Sequence, residues 1–338
     1  MCTKTEQVLK VSIIIINWNG KRFLENCIDS IKASDLDRSH YEIIVADNLS
    51  SDNSVILIKE RYPWVRLIEF KDNYGFCKGN NQAALLARGE YLFFLNNDTR
   101  IEPYTIRKML ERIEGDEKIA ICGCKILNYN GTKTFHTGIG IDFLGWPVLN
   151  KRLFYVEGSA LMIRKSVFDL LGGFDEDYFM FHEDVDLCWR TRLLGYRTEA
   201  VDDAIVYHFM GASAGGGEAD KKGDFRTTTF RRYHSEKNTI NTLIKNYSFV
   251  SLILIMPLYF FVSLSECAIF FFLGKFNVVK AYLNAYKWNI ENMGRTFSKR
   301  MEVQKNRKVS DIEMLSHMYK SFGKLLTLKE FGLPKVKG

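Results

Sequence analysis

Val11-Ser12-Ile13-Ile14-Ile15-Ile16 runs straight into Asn17-Trp18-Asn19-Gly20. A run that is β-branched at every position but Ser12, with no polar alternation, is the pattern of a strand buried on both faces of a parallel sheet. The polar tetrad at its end predicts that the chain leaves the sheet there. Phe23, Leu24, Cys27, Ile28 and Ile31 then recur at helical spacing, which predicts a helix with one apolar face. The same unit repeats. A strand over Tyr41–Ala46 ends in Asp47-Asn48, and Ser50-Ser51-Asp52 can cap the helix that follows. A strand over Val65–Phe70 ends at Asp72-Asn73-Tyr74-Gly75. A helix from about Asn80 to Ala87 leads to a strand over Tyr91–Leu95, which ends in Asn96-Asn97-Asp98. Repeated strand–helix alternation predicts an α/β, doubly wound, mostly parallel sheet flanked by helices. Ligands of such sheets bind at the carboxyl ends of the strands, where these polar residues cluster. No GxGxxG follows the first strand and no GxxxxGK[ST] occurs, which disfavours a dinucleotide fold and excludes a P-loop.

A second dense polar stretch lies further on. Gly172-Gly173-Phe174-Asp175-Glu176 leads to Phe181-His182-Glu183-Asp184-Val185-Asp186-Leu187-Cys188-Trp189-Arg190. Carboxylates among aromatics are the setting in which one group is held ready as a base at neutral pH. The alternative is a solvated acidic helix start, favoured by the helix dipole. His208 follows the short apolar run Ala204–Tyr207 and precedes the glycine-rich segment Gly211–Gly217, which reads as a mobile loop.

The chain has 338 residues and a net charge of +7. From Lys275 onward there are 14 Lys/Arg against 5 Asp/Glu, which is +9, so the first 274 residues sum to −2. A basic tail on a near-neutral body argues against a nucleic-acid groove and for a tail that faces an anionic surface. Seven scattered cysteines with no CxxC pair read as reduced, buried thiols in a cytosolic body. The first residues are polar and carry no signal-peptide pattern. Residues 226–246 read as a polar helical stretch. Phe249–Leu273 is strongly apolar and about long enough for a bilayer core, which takes roughly 20 residues. Pro257 and Glu266 interrupt it, so a span, a kinked pair in the membrane interface and a buried helix pair all stay open.

The motifs Val11–Gly20, Asp47–Ser54, Asn73–Phe76, Tyr91–Thr99, Val156–Ala160 and Gly172–Arg190 occur in this order. Together they resemble the family 2 glycosyltransferases with a GT-A fold, in particular the rhamnosyltransferase-like branch, over residues 9–212. The resemblance sets a catalytic domain over residues 1–212, and the composition beyond it sets a loop and connecting helix over 213–246 and an apolar, membrane-associated helical segment with a basic tail over 247–338. The resemblance implies an inverting transfer of a sugar from a dTDP- or UDP-linked donor, rhamnose among the candidates, to a glycan or lipid-linked acceptor, and the apolar segment and basic tail would place the site at the cytoplasmic face of the membrane. Asn17, Trp18, Asn19, Asp47, Asp52, Asn73, Gly75 and Asn97 match nucleotide-binding positions. Asp98, with Asn96 and His208, matches the site of a Mg²⁺ or Mn²⁺ ion. Asn96 stands where the family's Asp-x-Asp has its first aspartate. Glu157, Gly158, Trp189 and Arg190 match positions near the donor sugar and acceptor. Asp184, beside Glu183, matches the base. A nucleotidyltransferase and a non-catalytic membrane scaffold are the competing readings, and a homo-oligomer is left open.

Overall fold

The central strands form because their residues are apolar on both sides and helices cover both faces of the sheet. A computed structural model describes residues 9–149, 151–209, 226–333 and 335–337. In chain order the elements begin with β1 (Val11–Asn17), α1 (Lys21–Lys32), β2 (Tyr41–Asp47), α2 (Ser54–Arg61), β3 (Arg66–Glu69), α3 (Gly75–Ala84) and β4 (Tyr91–Leu95). They continue with β5 (Thr99–Ile101), α4 (Thr105–Glu114), β6 (Ile119–Asn128), β7 (Thr134–His136), β8 (Gly140–Ile141), β9 (Pro147–Val148), β10 (Ala160–Arg164), α5 (Lys165–Leu170), α6 (Glu183–Leu193) and β11 (Arg197–His208). The remainder is β12 (Arg226–Thr228), α7 (Thr229–Asn246), α8 (Phe249–Phe272), α9 (Phe276–Glu291), α10 (Met293–Lys305), α11 (Asp311–Ser316), α12 (Gly323–Phe331) and β13 (Lys335–Lys337). These elements make two compact units, the second built from 139–155, 180–195 and the described residues from 226 onward.

The first unit holds a nine-stranded sheet in the order β3-β2-β1-β4-β10-β6-β11-β5, with β7 beside β6. β3, β2, β1 and β4 are parallel. The winding direction reverses between β1 and β4, so a crevice opens at their carboxyl ends. Beyond β4 the sheet becomes mixed, because β10 runs antiparallel to both β4 and β6 and β5 runs antiparallel to β11. Ile13 and Ile15 pack with Leu24, Cys27, Ile28 and Ile31 of α1 in one large core, as the helical spacing predicts. Full burial of each such side chain contributes about 1.5–3 kcal/mol.

Two boundaries differ from the sequence reading. The helix expected over 80–87 starts at Gly75 and stops at Ala84. Asn73 Oδ1 accepts from the Gly75 amide at 2.9 Å, and the chain turns there through a positive φ of 70°. That bond sets the helix start, and no apolar periodicity reports it. The third strand shortens to Arg66–Glu69 because it is the sheet edge and pairs only with β2. The loop expected at Gly211–Gly217 lies outside the described residues.

In the second unit, α7 is polar in sequence yet buried from Glu236 to Asn246. Phe249–Leu273 resolves into the single helix α8, with Pro257 inside it. It is long and apolar enough, by length and composition, to cross a membrane.

Candidate active site

The crevice of the first unit is built by a chain of side-chain hydrogen bonds across three strand ends. Parallel pairing in register sets Asn17 beside Asp47. Asn97 Nδ2 donates to Asn17 Oδ1 at 2.8 Å, and Asn17 Nδ2 donates to Asp47 Oδ1 at 2.8 Å and to Ser50 Oγ at 3.1 Å. The other oxygen of Asp47 accepts from the Ser50 amide at 2.8 Å. All three strand-end side chains are buried. Asp47 is therefore committed on both oxygens to shaping the loop that follows β2.

That loop is laced to the one after β1. The Asn19 amide donates to Ser50 Oγ at 2.9 Å, and Asn19 Oδ1 accepts from the Ser51 amide at 2.7 Å. Asp52 does not cap α2 through its own first turn alone: Oδ2 accepts from the Lys21 amide at 2.8 Å, which ties it to the start of α1. Trp18 is 43 % exposed at the rim, free to lie against a flat ring. Gly20 lies against Asn97 and Asn17 so closely that a Cβ would overlap the Asn97 amide and sit 2.5 Å from Asn17 Oδ1. Asn48 holds the loop of Asn73, donating to the Gly75 carbonyl at 3.0 Å and accepting from the Tyr74 amide at 3.3 Å.

Across β4 the second cluster assembles from distant sequence. The antiparallel pairing of β5 with β11 sets His208 opposite Thr99. His208 Nε2 thereby lies 3.1 Å from Asp98 Oδ1, and its Nδ1 lies 3.8 Å from Glu157 Oε1. His136 Nε2 contacts the other Glu157 oxygen at 2.7 Å. Burial opposes ionisation of Glu157. The hydrogen bond from His136, the charges of His136 and His208 and a hydrogen bond from Ser159 outweigh it and hold the carboxyl down at about 2. Glu157 is thus an anion at neutral pH. The Asn96 amide bonds the Ser159 carbonyl at 2.9 Å, and its carbonyl accepts from Thr99 Oγ1 at 2.6 Å.

Among the described residues no group of three His, Cys, Asp or Glu side chains stands ready for a cation. A carboxylate oxygen and an imidazole nitrogen 3.1 Å apart nonetheless match the spacing of two neighbouring ligands, about 3 Å when each bond is about 2.1 Å. Asp98 and His208 fit a divalent ion whose remaining positions are filled by other oxygens.

In the second unit, the chain enters α6 through Phe181 and His182, both at positive φ (68° and 70°). Asn238 of α7 holds this turn, its Nδ2 donating to the Met180 and Phe181 carbonyls at 3.0 and 2.6 Å. Glu183 and Asp184 form the first turn of α6. Asp184 Oδ1 accepts from the Val185 amide at 2.8 Å. Burial lowers the His182 imidazole to about 4, so it is neutral at physiological pH.

Trp189 and Arg190 are buried on α6. Trp189 is fully buried between Phe154 and Tyr247, whose ring centroids lie 5.5 and 5.0 Å away. Arg190 Nε bonds Asp186 at 2.7 Å, and Lys245 Nζ reaches the same carboxylate at 3.1 Å. One helical turn separates Asp186 from Arg190, so they face inward together. The Trp189 and Arg190 side chains pack α6 against its neighbours. Sequence reasoning missed Asn238, Lys245 and His136; no local signal distinguishes them from ordinary polar residues.

The model of the "Glycosyl transferase family 2" matches residues 12–172. The chain is 27 % identical over 226 residues to the O-antigen biosynthesis protein RfbC of Myxococcus xanthus, covering 60 % of this chain and 18 % of that longer protein. It is 27 % identical over 209 residues to the N-acetylglucosaminyl-diphospho-decaprenol L-rhamnosyltransferase of Mycobacterium tuberculosis, covering 51 % of this chain and 68 % of the relative. Among solved structures, S. aureus TarS 1-349 in complex with UDP-GlcNAc superposes with a TM-score of 0.57 at 17 % identity, covering 93 % of each chain. The mannosyltransferase PcManGT of Pyrobaculum calidifontis, in complex with GDP-Man and Mn²⁺, gives 0.52 at 16 % identity, covering 88 % of this chain and 85 % of the other. These likenesses identify the GT-A fold.

Proposed function

We propose that this chain, a glycosyltransferase of family 2, is an inverting enzyme that moves a sugar from a nucleoside-diphosphate donor to a hydroxyl of a lipid-linked glycan. The observation that carries the reading is the meeting of Asp98 and His208 at 3.1 Å beside the reversal of strand order. That pair would hold a divalent cation, which when bound would supply positive charge beside the departing diphosphate. An imidazole in the donor set favours Mn²⁺ over Mg²⁺, which prefers oxygen.

The remaining chemistry belongs to side chains. Trp18 stacks on the base at the rim, while Asn17, Asn97, Asp47, Asn19 and Asp52 fix the loops that shape the nucleotide pocket. Asn73 and Gly75 set the third loop. Glu157, ionised and pinned by His136, orients His208 and accepts from a donor-sugar hydroxyl. Asp184, with Glu183 beside it, takes the acceptor hydroxyl proton as that oxygen attacks C1 from the face opposite the diphosphate. The C1–O bond to the diphosphate breaks, and the new glycoside has inverted configuration.

Rhamnose is the sugar class we favour, because a relative carries an L-rhamnosyltransferase name with a diphospho-decaprenol acceptor. The basic tail and α8 suit an acceptor held at the cytoplasmic leaflet. Asp184→Asn is the test. Transfer of the sugar falls by three orders of magnitude or more while nucleotide affinity stays within about twofold. Loss of both would assign Asp184 a structural role, and retained transfer would remove it from the chemistry.

A further inference from the structure

α8 has two unlike faces. Its inner face carries Tyr259, Ser263, Glu266 and Cys267, which are buried or nearly so. Tyr259 donates to Glu236 of α7 at 2.8 Å and stacks on Trp146 at 5.5 Å. Glu266 accepts from Arg232 of α7 and from the Tyr282 hydroxyl of α9, each at 2.9 Å, and pairs with Lys324 of α12. At its other end, the Ser248 amide that precedes α8 donates to Asp311 at 2.9 Å. Polar and charged partners therefore flank this face at its first turn and from Tyr259 to Glu266.

The outer face is the reverse. Val250, Leu254, Phe261, Leu264, Phe271 and Phe272 are each more than half exposed, in a stripe that runs the length of the helix. A helix of 24 residues makes this stripe about 36 Å long. If α8 spanned a bilayer, Arg232, Glu236, Lys324 and Asp311 would be drawn into hydrocarbon with it, an arrangement membranes penalise. Only the outer stripe can enter lipid. Exposed Lys275, Lys280 and Lys287 follow on the turn after α8 and on α9, within the tail whose net charge is +9. Apolar side chains with neighbouring lysines match an anionic lipid surface.

We propose that α8 lies in the plane of one leaflet of an anionic bilayer, with its outer stripe among the acyl chains and its inner face fastened to the protein. This deepens, and rests on, the membrane part of the function proposed above. It makes the chain a one-leaflet protein and assigns Glu266 the job of holding α8 flat.

The test uses the full chain and vesicles of phosphatidylcholine, with and without phosphatidylglycerol. A fluorophore is attached in turn at Val250→Cys, Phe261→Cys and Phe272→Cys, and quenching lipids with the quencher at stepped depths read each position. All three substitutions are at exposed sites, and near-UV circular dichroism checks the fold. In-plane binding puts the three labels at one shallow depth, and phosphatidylglycerol strengthens binding about tenfold or more if two or three lysines reach the surface. Labels 250 and 272 at opposite interfaces, about 33 Å apart, with 261 deepest, would overturn the in-plane geometry and leave the membrane reading standing. No quenching at any position would overturn lipid docking altogether and assign the stripe to a second copy or another protein. Binding indifferent to phosphatidylglycerol would overturn the anionic requirement. Sugar transfer to a soluble acceptor, measured on the same labelled chains, reports separately on the transferase reading. In the unlabelled chain, Phe261→Asp with Leu264→Asp abolishes vesicle binding and leaves that soluble transfer within twofold.

Discussion

Asn17→Asp is the sharpest probe of the crevice, because it changes one NH₂ group to an oxygen and leaves the shape alone. In the native protein Asn17 Nδ2 donates to Asp47 Oδ1 at 2.8 Å, and Asn17 is fully buried. The variant carboxylate faces a second carboxylate at that distance. The lost bond to a charged acceptor costs about 1.5–3 kcal/mol. The uncompensated charge adds to this, or the new carboxyl takes a proton and titrates well above the carboxylate range. Together the loss is about 4 kcal/mol at pH 8. A protonated carboxyl can again donate to Asp47, so the defect shrinks as pH falls. The sign follows from a folded pKa raised above the unfolded value of about 3.9: the protonated form's stability is present at low pH and disappears as pH rises through the raised value. Urea unfolding of both proteins at pH 5 and pH 8 reads the effect, which at pH 8 corresponds to a fall in Tm of about 10 °C. A variant within 0.5 kcal/mol (about experimental error) of the native protein at both values would refute the hydrogen-bond chain from Asn97 to Asp47.

Gly20→Ala places a methyl against Asn97 and Asn17, so it breaks their bond and weakens nucleotide binding about tenfold or more, about 1.4 kcal/mol by isothermal titration; unchanged affinity would show that the loops yield. Lys245→Met removes one cation from buried Asp186, which keeps Arg190, and lowers unfolding stability by about 3 kcal/mol in chemical denaturation, the lower end for a broken buried pair. His182 has a folded pKa of about 4 against an ordinary 6.5. Its unfolded form binds the extra proton, so stability falls as pH drops from 6.5 towards 4, by up to roughly 3 kcal/mol. His182→Asn, which tolerates the same left-handed backbone, flattens that slope in thermal melts across this range; an unaltered slope would assign it to other groups.

The strands β1, β2 and β4 were legible because burial on both faces leaves them almost wholly apolar; the buried exceptions Ser12 and Glu42 bond each other at 2.7 Å. α1 was legible because one face is apolar and the other wet. The pairing of β5 with β11 was not. It joins Thr99 to His208, neighbours in the sheet but more than a hundred residues apart in the chain, and local patterning carries no record of long-range register. The family resemblance alone suggested that His208 belongs with Asp98. α7 misleads for a different reason. Its Glu, Lys, Asn and Thr residues read as a wet surface, yet they are buried because other elements satisfy them: Asn238 by the turn before α6, Lys245 by Asp186 and Glu236 by Tyr259. The burial of Trp189 and Arg190 was hidden for the same reason, since a motif position does not say which way a helix faces. Glu266 looked like a flaw in an apolar helix, and its partners Arg232 and Lys324 lie on other elements.

The most direct measurement is nucleotide-induced thermal stabilisation of the full chain by UDP, dTDP and GDP, each with and without Mn²⁺, in the native protein, Asp98→Ala and Asp184→Asn. A nucleotide at a hundred times its Kd adds about 2.7 kcal/mol. The account predicts a shift with one nucleotide class that grows with Mn²⁺, loses its metal dependence in Asp98→Ala and persists in Asp184→Asn. No shift with any nucleotide, or a metal effect indifferent to Asp98, would contradict it.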